Sequence, residues 1–229
     1  MNQFERLELL FGDKINEIKN KNILIIGLGG VGSYAVEGLI RSGISNITIV
    51  DSDTIEISNL NRQLMTYQSN IGKYKTDEIE KRILSINPKC NITKITKFID
   101  MTNIHSIFNQ KYDYVIDACD TISVKLELIR ICKKNDIKFI SCMGTGNKID
   151  PTKLKIMDIR KTNYDKIAKI VRKMVKDEKI KGKVMVVSSN EEAHVKVIDK
   201  IPSNSFVPAV AGMLCASYVI NDIIGDKNV

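Results

Sequence analysis

One short turn constrains this chain more than anything else in it: Gly27-Leu28-Gly29-Gly30-Val31-Gly32, set between an unbroken apolar run and a segment of helical pattern. The run, NILIIG at residues 22–27, has strand length and ends in glycines. A strand that turns through glycines into a helix brings backbone N–H groups close to an anion. The helix N-terminus adds a partial positive charge at the same place. A second apolar run, residues 46–50, closes on Asp51, a carboxylate able to accept hydrogen bonds from both ribose hydroxyls. Gly27, Gly29, Gly30 and Gly32 are therefore candidate phosphate holders, and Asp51 a candidate ribose ligand. The nucleotide itself stays open at this point, with a dinucleotide of a nicotinamide enzyme as one reading.

The rest of the chain continues the alternation. Helical pattern covers 30–42, 74–86, a short 102–109 and 122–135, with strands expected at 46–51, 91–99, 112–118 and 138–144. This spacing predicts a Rossmann-like α/β fold, a mostly parallel sheet with right-handed crossovers and helices on both faces. Beyond Gly146 the pattern changes to two further strands (153–159 and 183–189), a basic helix (164–178) and a closing apolar helix (207–224). No Pro-, Gly- or Ser-rich linker intervenes, so 22–146 reads as the nucleotide-binding core and 147–229 as its extension within one domain, 1–229. Residues 3–20 read as short amphipathic helical turns.

Composition narrows the partners. The chain has 35 Lys and Arg against 27 Asp and Glu, a formal charge of +8 that favours an anionic partner such as RNA. Cys90, Cys119, Cys132, Cys142 and Cys215 are odd in number and contain no CxxC pair. That argues against a Cys-rich zinc site and a disulfide framework, and points to a reducing, cytoplasmic setting. The opening MNQFERLELLF lacks the apolar stretch of a signal peptide. The longest apolar run, residues 206–220, falls short of the about 20 residues that span a bilayer, so a buried helix is expected and no membrane.

Residues 51–63, DSDTIEISNLNRQ, decide against hydride transfer. A nicotinamide enzyme needs an apolar slot and a proton donor. It has no use for Asn59, Arg62 and, downstream, Lys75 converging on one nucleotide. Cleavage of ATP between the α and β phosphates does need them, because charge builds on the α-phosphorus and on the leaving pyrophosphate. A carboxylate for Mg²⁺ is expected nearby, and Asp120, just past the strand YDYVIDA, lies where ligands of an open parallel sheet bind.

GLGGVGS, DSDTIEISNLNRQ, GKYK and VIDACD, in that order, resemble the ubiquitin-activating-like adenylating enzymes, the ThiF- and MoeB-type superfamily. The resemblance implies ATP and Mg²⁺ as cofactors. It assigns the ATP site to the glycine loop with Asp51, Asp53, Ser58, Asn59, Arg62, Lys75 and Asp120, and the metal to Asp120. Arg6 is similar to an N-terminal arginine of the family that reaches the partner subunit's ATP, which implies a homodimer with shared sites. Catalysis would then rest on Arg62, Lys75, Asp120 and Arg6.

The later segments, SCMGTGNKIDPTKLKIMDIRKTNYDKIAKIVRK and SNSFVPAVAGMLCASYVI, resemble the branch of that superfamily that dehydrates threonylcarbamoyladenosine in tRNA. The resemblance implies that the free carboxylate on adenosine 37 is adenylated and then attacked by the side chain's own nitrogen. No enzyme nucleophile is needed, which agrees with the reading of Cys119 and Cys142 as small core residues. The basic stretch supplies Lys166, Lys169, Arg172, Lys173 and Lys176 as candidate RNA contacts. A sulfur-transfer protein stands as a candidate further partner. The rival within the family adenylates the C-terminus of a ubiquitin-like or sulfur-carrier protein, and the rival outside it binds nucleotide without forming AMP.

Overall fold

The computed structural model describes residues 2–196 and 199–225. Seven strands form one sheet: β1 (Asn22–Ile26), β2 (Asn46–Val50), β3 (Asn91–Ile95), β4 (Tyr114–Asp117), β5 (Lys138–Cys142), β6 (Leu154–Asp158) and β7 (Met185–Ser189). Their order across the sheet is β3-β2-β1-β4-β5-β7-β6. Every neighbouring pair is parallel except the last, where β6 runs antiparallel to β7. The central strands are buried on both faces, which is why they read in the sequence as unbroken apolar runs rather than alternating ones.

Among the described residues, seven α-helices accompany the strands: α1 (Glu5–Phe11), α2 (Lys14–Lys19), α3 (Gly32–Arg41), α4 (Lys75–Ile86), α5 (Ile122–Lys134), α6 (Lys166–Asp177) and α7 (Phe206–Ile224). Strand side chains alternate between two cores. Ile23 and Ile25 of β1 join α2, α3, α4 and α7 on one face, while Leu24 and Ile26 join α5 and α6 on the other. The segment beyond Gly146 is thus built into the same sheet and the same two cores.

Two expected elements end differently. The strand expected through residue 99 stops at Ile95. As an edge strand β3 has only β2 to pair with, and the last ladder bond is Asp51 N–H to the Ile95 carbonyl at 3.3 Å. The chain then turns, and Lys97, Phe98 and Ile99 leave the ladder. The short helix expected at 102–109 is a 3₁₀ turn, Ile104–Phe108.

The apolar tail forms α7, which is long and apolar enough in length and composition to cross a membrane. Its apolarity is used inside the fold. Val207, Ala211, Cys215, Val219 and Ile220 are buried, and the helix lies along α3 and over β5 and β6. Gly212 makes the contact with the glycine loop close: a Cβ there would sit 2.2 Å from the carbonyl oxygen of Val31. α7 therefore packs directly against the start of α3.

Candidate nucleotide site

A cleft of about 370 Å³ opens where β1, β2 and β4 end. The turn after β1 forms its floor. Gly27 has φ of +87°, and a Cβ on it would lie 2.7 Å from the Ala118 carbonyl oxygen, so both conformation and space require glycine. Gly29 and Gly30 line the cleft. Gly32 is the first residue of α3, behind the lining, and directs that helix's N-terminus at the turn.

Asp51 follows the last residue of β2, one strand away from the β1–β4 junction where the strand order reverses. Its Oδ2 accepts from Leu28 N–H at 2.7 Å and its Oδ1 from Asp53 N–H at 2.8 Å. Burial pushes its carboxyl above the usual range, against the opposing pull of Lys75 and the two N–H groups. Ribose hydroxyls, as donors, would return to this carboxylate some of the solvation that burial removes.

The segment after β2 supplies the next wall of the cleft. Asn59 is buried at the end of a single 3₁₀ turn, Ile57–Asn59, with Oδ1 accepting from Glu56 N–H at 3.1 Å. Its amide nitrogen makes only a 3.5 Å contact to Ser58 Oγ, which leaves donor capacity toward the cleft. Arg62 Nη1 donates to the Ser58 carbonyl at 2.8 Å and to Asn61 Oδ1 at 2.9 Å. The rest of its guanidinium donors remain for an anion. Lys75 opens α4 with its side chain 6% exposed and Nζ 2.6 Å from Asp53 Oδ2. Asp120 stands on the opposite wall, exposed, just before α5.

Glycine loop, Asp51, Asp53, Asn59, Arg62, Lys75 and Asp120 therefore meet in one cleft, as their motifs suggest. Ser58 does not line it; its hydroxyl donates to Glu56 at 3.3 Å and its carbonyl holds Arg62. Arg6 lies exposed on α1, outside this chain's own cleft. On α6, Lys166, Lys169, Lys173 and Lys176 are exposed, and among the described residues none is in an ion pair. Arg172 differs: it is half-buried, with Nη1 on the Thr162 carbonyl at 2.7 Å, so it ties α6 to the turn before it.

Several lining residues lie in the two later segments, to which the sequence assigned no part in the nucleotide site. Thr145 comes from the loop after β5, and Ser203 and Pro208 from the approach to and first turn of α7. Gln63, at the end of the DSDTIEISNLNRQ segment, is buried, and among the described residues its Oε1 has no hydrogen-bond partner. Below the cleft lies a buried ion pair, Asp117 with Lys125, at 2.9 Å. All five cysteines are free. Burial, and then Asp117, push the Cys119 thiol well up, so beside the cleft it stays protonated and a poor nucleophile. His105 and His194 are exposed and outside the lining.

The profile of the ThiF family matches residues 2–229. The chain belongs to the ThiF family. Among ThiF-family relatives, the tRNA threonylcarbamoyladenosine dehydratase of Bacillus subtilis is 40% identical over 244 residues, 99% of this chain and 96% of that protein. The enzyme of the same description from Escherichia coli is 36% identical over 170 residues, 74% of this chain and 63% of that protein. Crystal structures of the E. coli dehydratase superpose with a TM-score of 0.91 at 31% identity, covering 97% of this chain and 94% of that one. Its complex with ATP superposes at 0.90 and 32% identity, over 97% and 94% of the two chains.

Proposed function

We propose that this ThiF-family protein is an ATP-dependent dehydratase of threonylcarbamoyladenosine at position 37 of tRNA. The observation that carries the reaction class is the meeting of a glycine turn at a helix N-terminus, the carboxylate Asp51 and the two cations Arg62 and Lys75 in one cleft. The full-length likeness to the Bacillus subtilis and Escherichia coli dehydratases supports the substrate.

In this reading the substrate carboxylate attacks the α-phosphorus of ATP. The bond between that phosphorus and the bridging oxygen breaks, and pyrophosphate leaves. Arg62 and Lys75 neutralise the charge that develops there, and backbone N–H groups of the glycine turn hold the phosphates. The nitrogen of the same side chain then attacks the activated carbonyl. AMP leaves carrying the carboxylate oxygen, the nitrogen loses its proton, and the ring is closed. Both reacting groups belong to one substrate, so their effective concentration is high. Asp120 would hold Mg²⁺, a metal usually bound through one or two carboxylates with phosphates and water; of the two exposed acids that line the cleft, Asp53 is paired with Lys75, and Asp120 is the one left to a metal.

The finer parts of the proposal concern assembly. The whole chain works as one adenylating domain, and two copies pair so that Arg6 of each reaches the other's ATP. Leu9 and Leu10 beside Arg6 are 84% and 72% exposed, apolar surface that a partner would cover. Mixing inactive Arg6→Ala and Asp120→Asn subunits restores part of the activity if the sites are shared. The exposed lysines of α6 carry tRNA phosphates, and a sulfur-transfer protein is the further candidate partner. The free cysteines suit a reducing compartment, and we place the protein in the cytoplasm.

The test is to incubate the protein with Mg·ATP and tRNA bearing threonylcarbamoyladenosine, digest the tRNA and weigh its nucleosides. Loss of one water mass with release of AMP is expected. An unchanged nucleoside, with ATP–pyrophosphate exchange that responds to a carrier protein ending in Gly-Gly, moves the protein to the carrier-activating branch.

A further inference from the structure

Asp117 and Lys125 form a fully enclosed ion pair, 0% and 1% exposed, that no step of the proposed reaction uses. All three donors of Lys125 are committed: to Asp117 Oδ2 at 2.9 Å, to Ser141 Oγ at 3.3 Å and to the Cys142 carbonyl at 2.9 Å. The Ser141 hydroxyl also donates to Asp117 Oδ2. The other oxygen, Oδ1, accepts from the Cys119 N–H at 3.2 Å and from its thiol at 3.0 Å. Burial alone would lower the Lys125 pKa, but the Asp117 carboxylate reverses this and raises it, so the lysine stays charged.

Two charges taken out of water cost more than a pair of apolar side chains of similar volume would. What this pair yields is geometry. Asp117 is the last residue of β4, and residues 118–120 follow it directly into the cleft wall. Lys125 lies in the first turn of α5, and Ser141 and Cys142 end β5. One ammonium therefore pins together the ends of two strands and the start of a helix. From that anchor Ala118 reaches across to within contact of Gly27, and Asp120 reaches the cleft.

We infer that Asp117 and Lys125 are positioning residues for adenylation, a buried pair that fixes residues 118–120 against the glycine turn and so places Asp120. The inference rests on the proposed adenylation chemistry, but its test reads nucleotide binding without tRNA, so it stands or falls apart from the choice of substrate. Lys125→Met leaves a buried carboxylate unpaired and threatens folding, so the decisive variant is Asp117→Leu with Lys125→Met, which removes both charges. Calorimetric titration with ATP is run with and without Mg²⁺, alongside thermal melting. The double variant is expected to melt at or above the wild-type temperature. Its affinity for ATP should fall at least tenfold with Mg²⁺ and much less without it. In turnover assays kcat should fall while the KM for tRNA holds. A folded double variant with wild-type Mg·ATP affinity and kcat overturns the inference and leaves the pair a purely structural one. Should the double variant fail to fold, Ser141→Ala deletes only the hydroxyl between the two charges. A severalfold weaker Mg²⁺ response there supports the inference, and an unchanged Mg²⁺ titration overturns it.

Discussion

Lys75 is joined to Asp53 twice: Nζ lies 2.6 Å from Oδ2, and the Lys75 backbone N–H donates to the Asp53 carbonyl at 3.0 Å. The two side chains differ sharply in exposure, 6% for the lysine and 62% for the aspartate. The carboxylate can swing into solvent while the ammonium stays in the wall, so phosphate oxygens can take the place of Asp53. Lys75→Ala is expected to cut AMP formation by about 10²–10³, the scale of losing one charge-stabilising donor. Single-turnover rates near wild type would remove Lys75 from the chemistry.

Asp120 is tested through the metal. Asp120→Asn should raise the Mg²⁺ concentration for half-maximal activity by about tenfold or more. Titrating Mg²⁺ at saturating ATP checks this, and a superimposable curve would assign the metal elsewhere.

The lysine face of α6 separates from Arg172 by its salt dependence. Each lysine that meets a phosphate adds roughly 0.7–0.9 to the slope of log affinity against log salt. Changing Lys166, Lys169, Lys173 and Lys176 together to Gln should flatten that slope for tRNA by about 3 on the same rule. Filter binding across a salt series reads it. If the slope stays put, α6 is a solvated face. Arg172→Gln should act on thermal stability instead, because its guanidinium is spent on Thr162.

Gly212→Ala tests the contact between α7 and the glycine turn. The added methyl would meet a backbone oxygen at 2.2 Å, so a helix has to move rather than a side chain. A destabilisation of about 1–3 kcal/mol is expected from such overpacking, together with weaker ATP binding. Melting curves with and without ATP distinguish this from a purely local effect, which would lower stability and leave the ATP-induced shift intact.

Glu37 makes stability depend on acid. It is buried on α3, Arg82 holds both its oxygens at 2.7 and 3.0 Å, and Arg41 binds one at 2.6 Å. Burial pushes its carboxyl up, but the two guanidinium groups outweigh it and hold the carboxyl below its ordinary 4.5. A depressed folded value means that the stabilisation is complete above about 4.5 and is lost as pH falls through the folded value. Glu37→Gln should therefore cost about 1–3 kcal/mol at pH 7, since both arginines are partly exposed and screened. The gap to wild type should narrow in urea titrations at pH 3. A constant gap would mean that packing rather than charge holds Glu37.

The site was legible where one stretch of chain carries both the spacing and the chemistry. Gly27 to Gly32 and Asp51 follow directly from strand–turn–helix logic, and Asn59, Arg62 and Lys75 lie within two short motifs. Thr145, Ser203 and Pro208 fall within the later segments, but nothing there marked them for the nucleotide, because only the packing of distant loops brings them to the cleft. Lys125 did leave a trace. It precedes Leu128, Ile129 and Cys132 at helical spacing, so a charge stands on the buried stripe of α5. What the pattern lacked was its counter-ion, which a strand and a turn hide from any periodicity. The early end of β3 was equally unreadable, since it depends on where its neighbour stops.

The contact of Gly212 with Val31 has a consequence for how the protein comes into being on the ribosome. The turn that would grip phosphate, near position 31, is synthesised well before the helix that packs against it, whose contact at position 212 forms only once that residue has left the exit tunnel. Until then the turn faces solvent without its backing, and the nascent chain has no finished grip on ATP. Readiness to bind ATP thus waits on position 212, and the nucleotide serves the newborn chain as a late clamp on a sheet whose strands have already emerged.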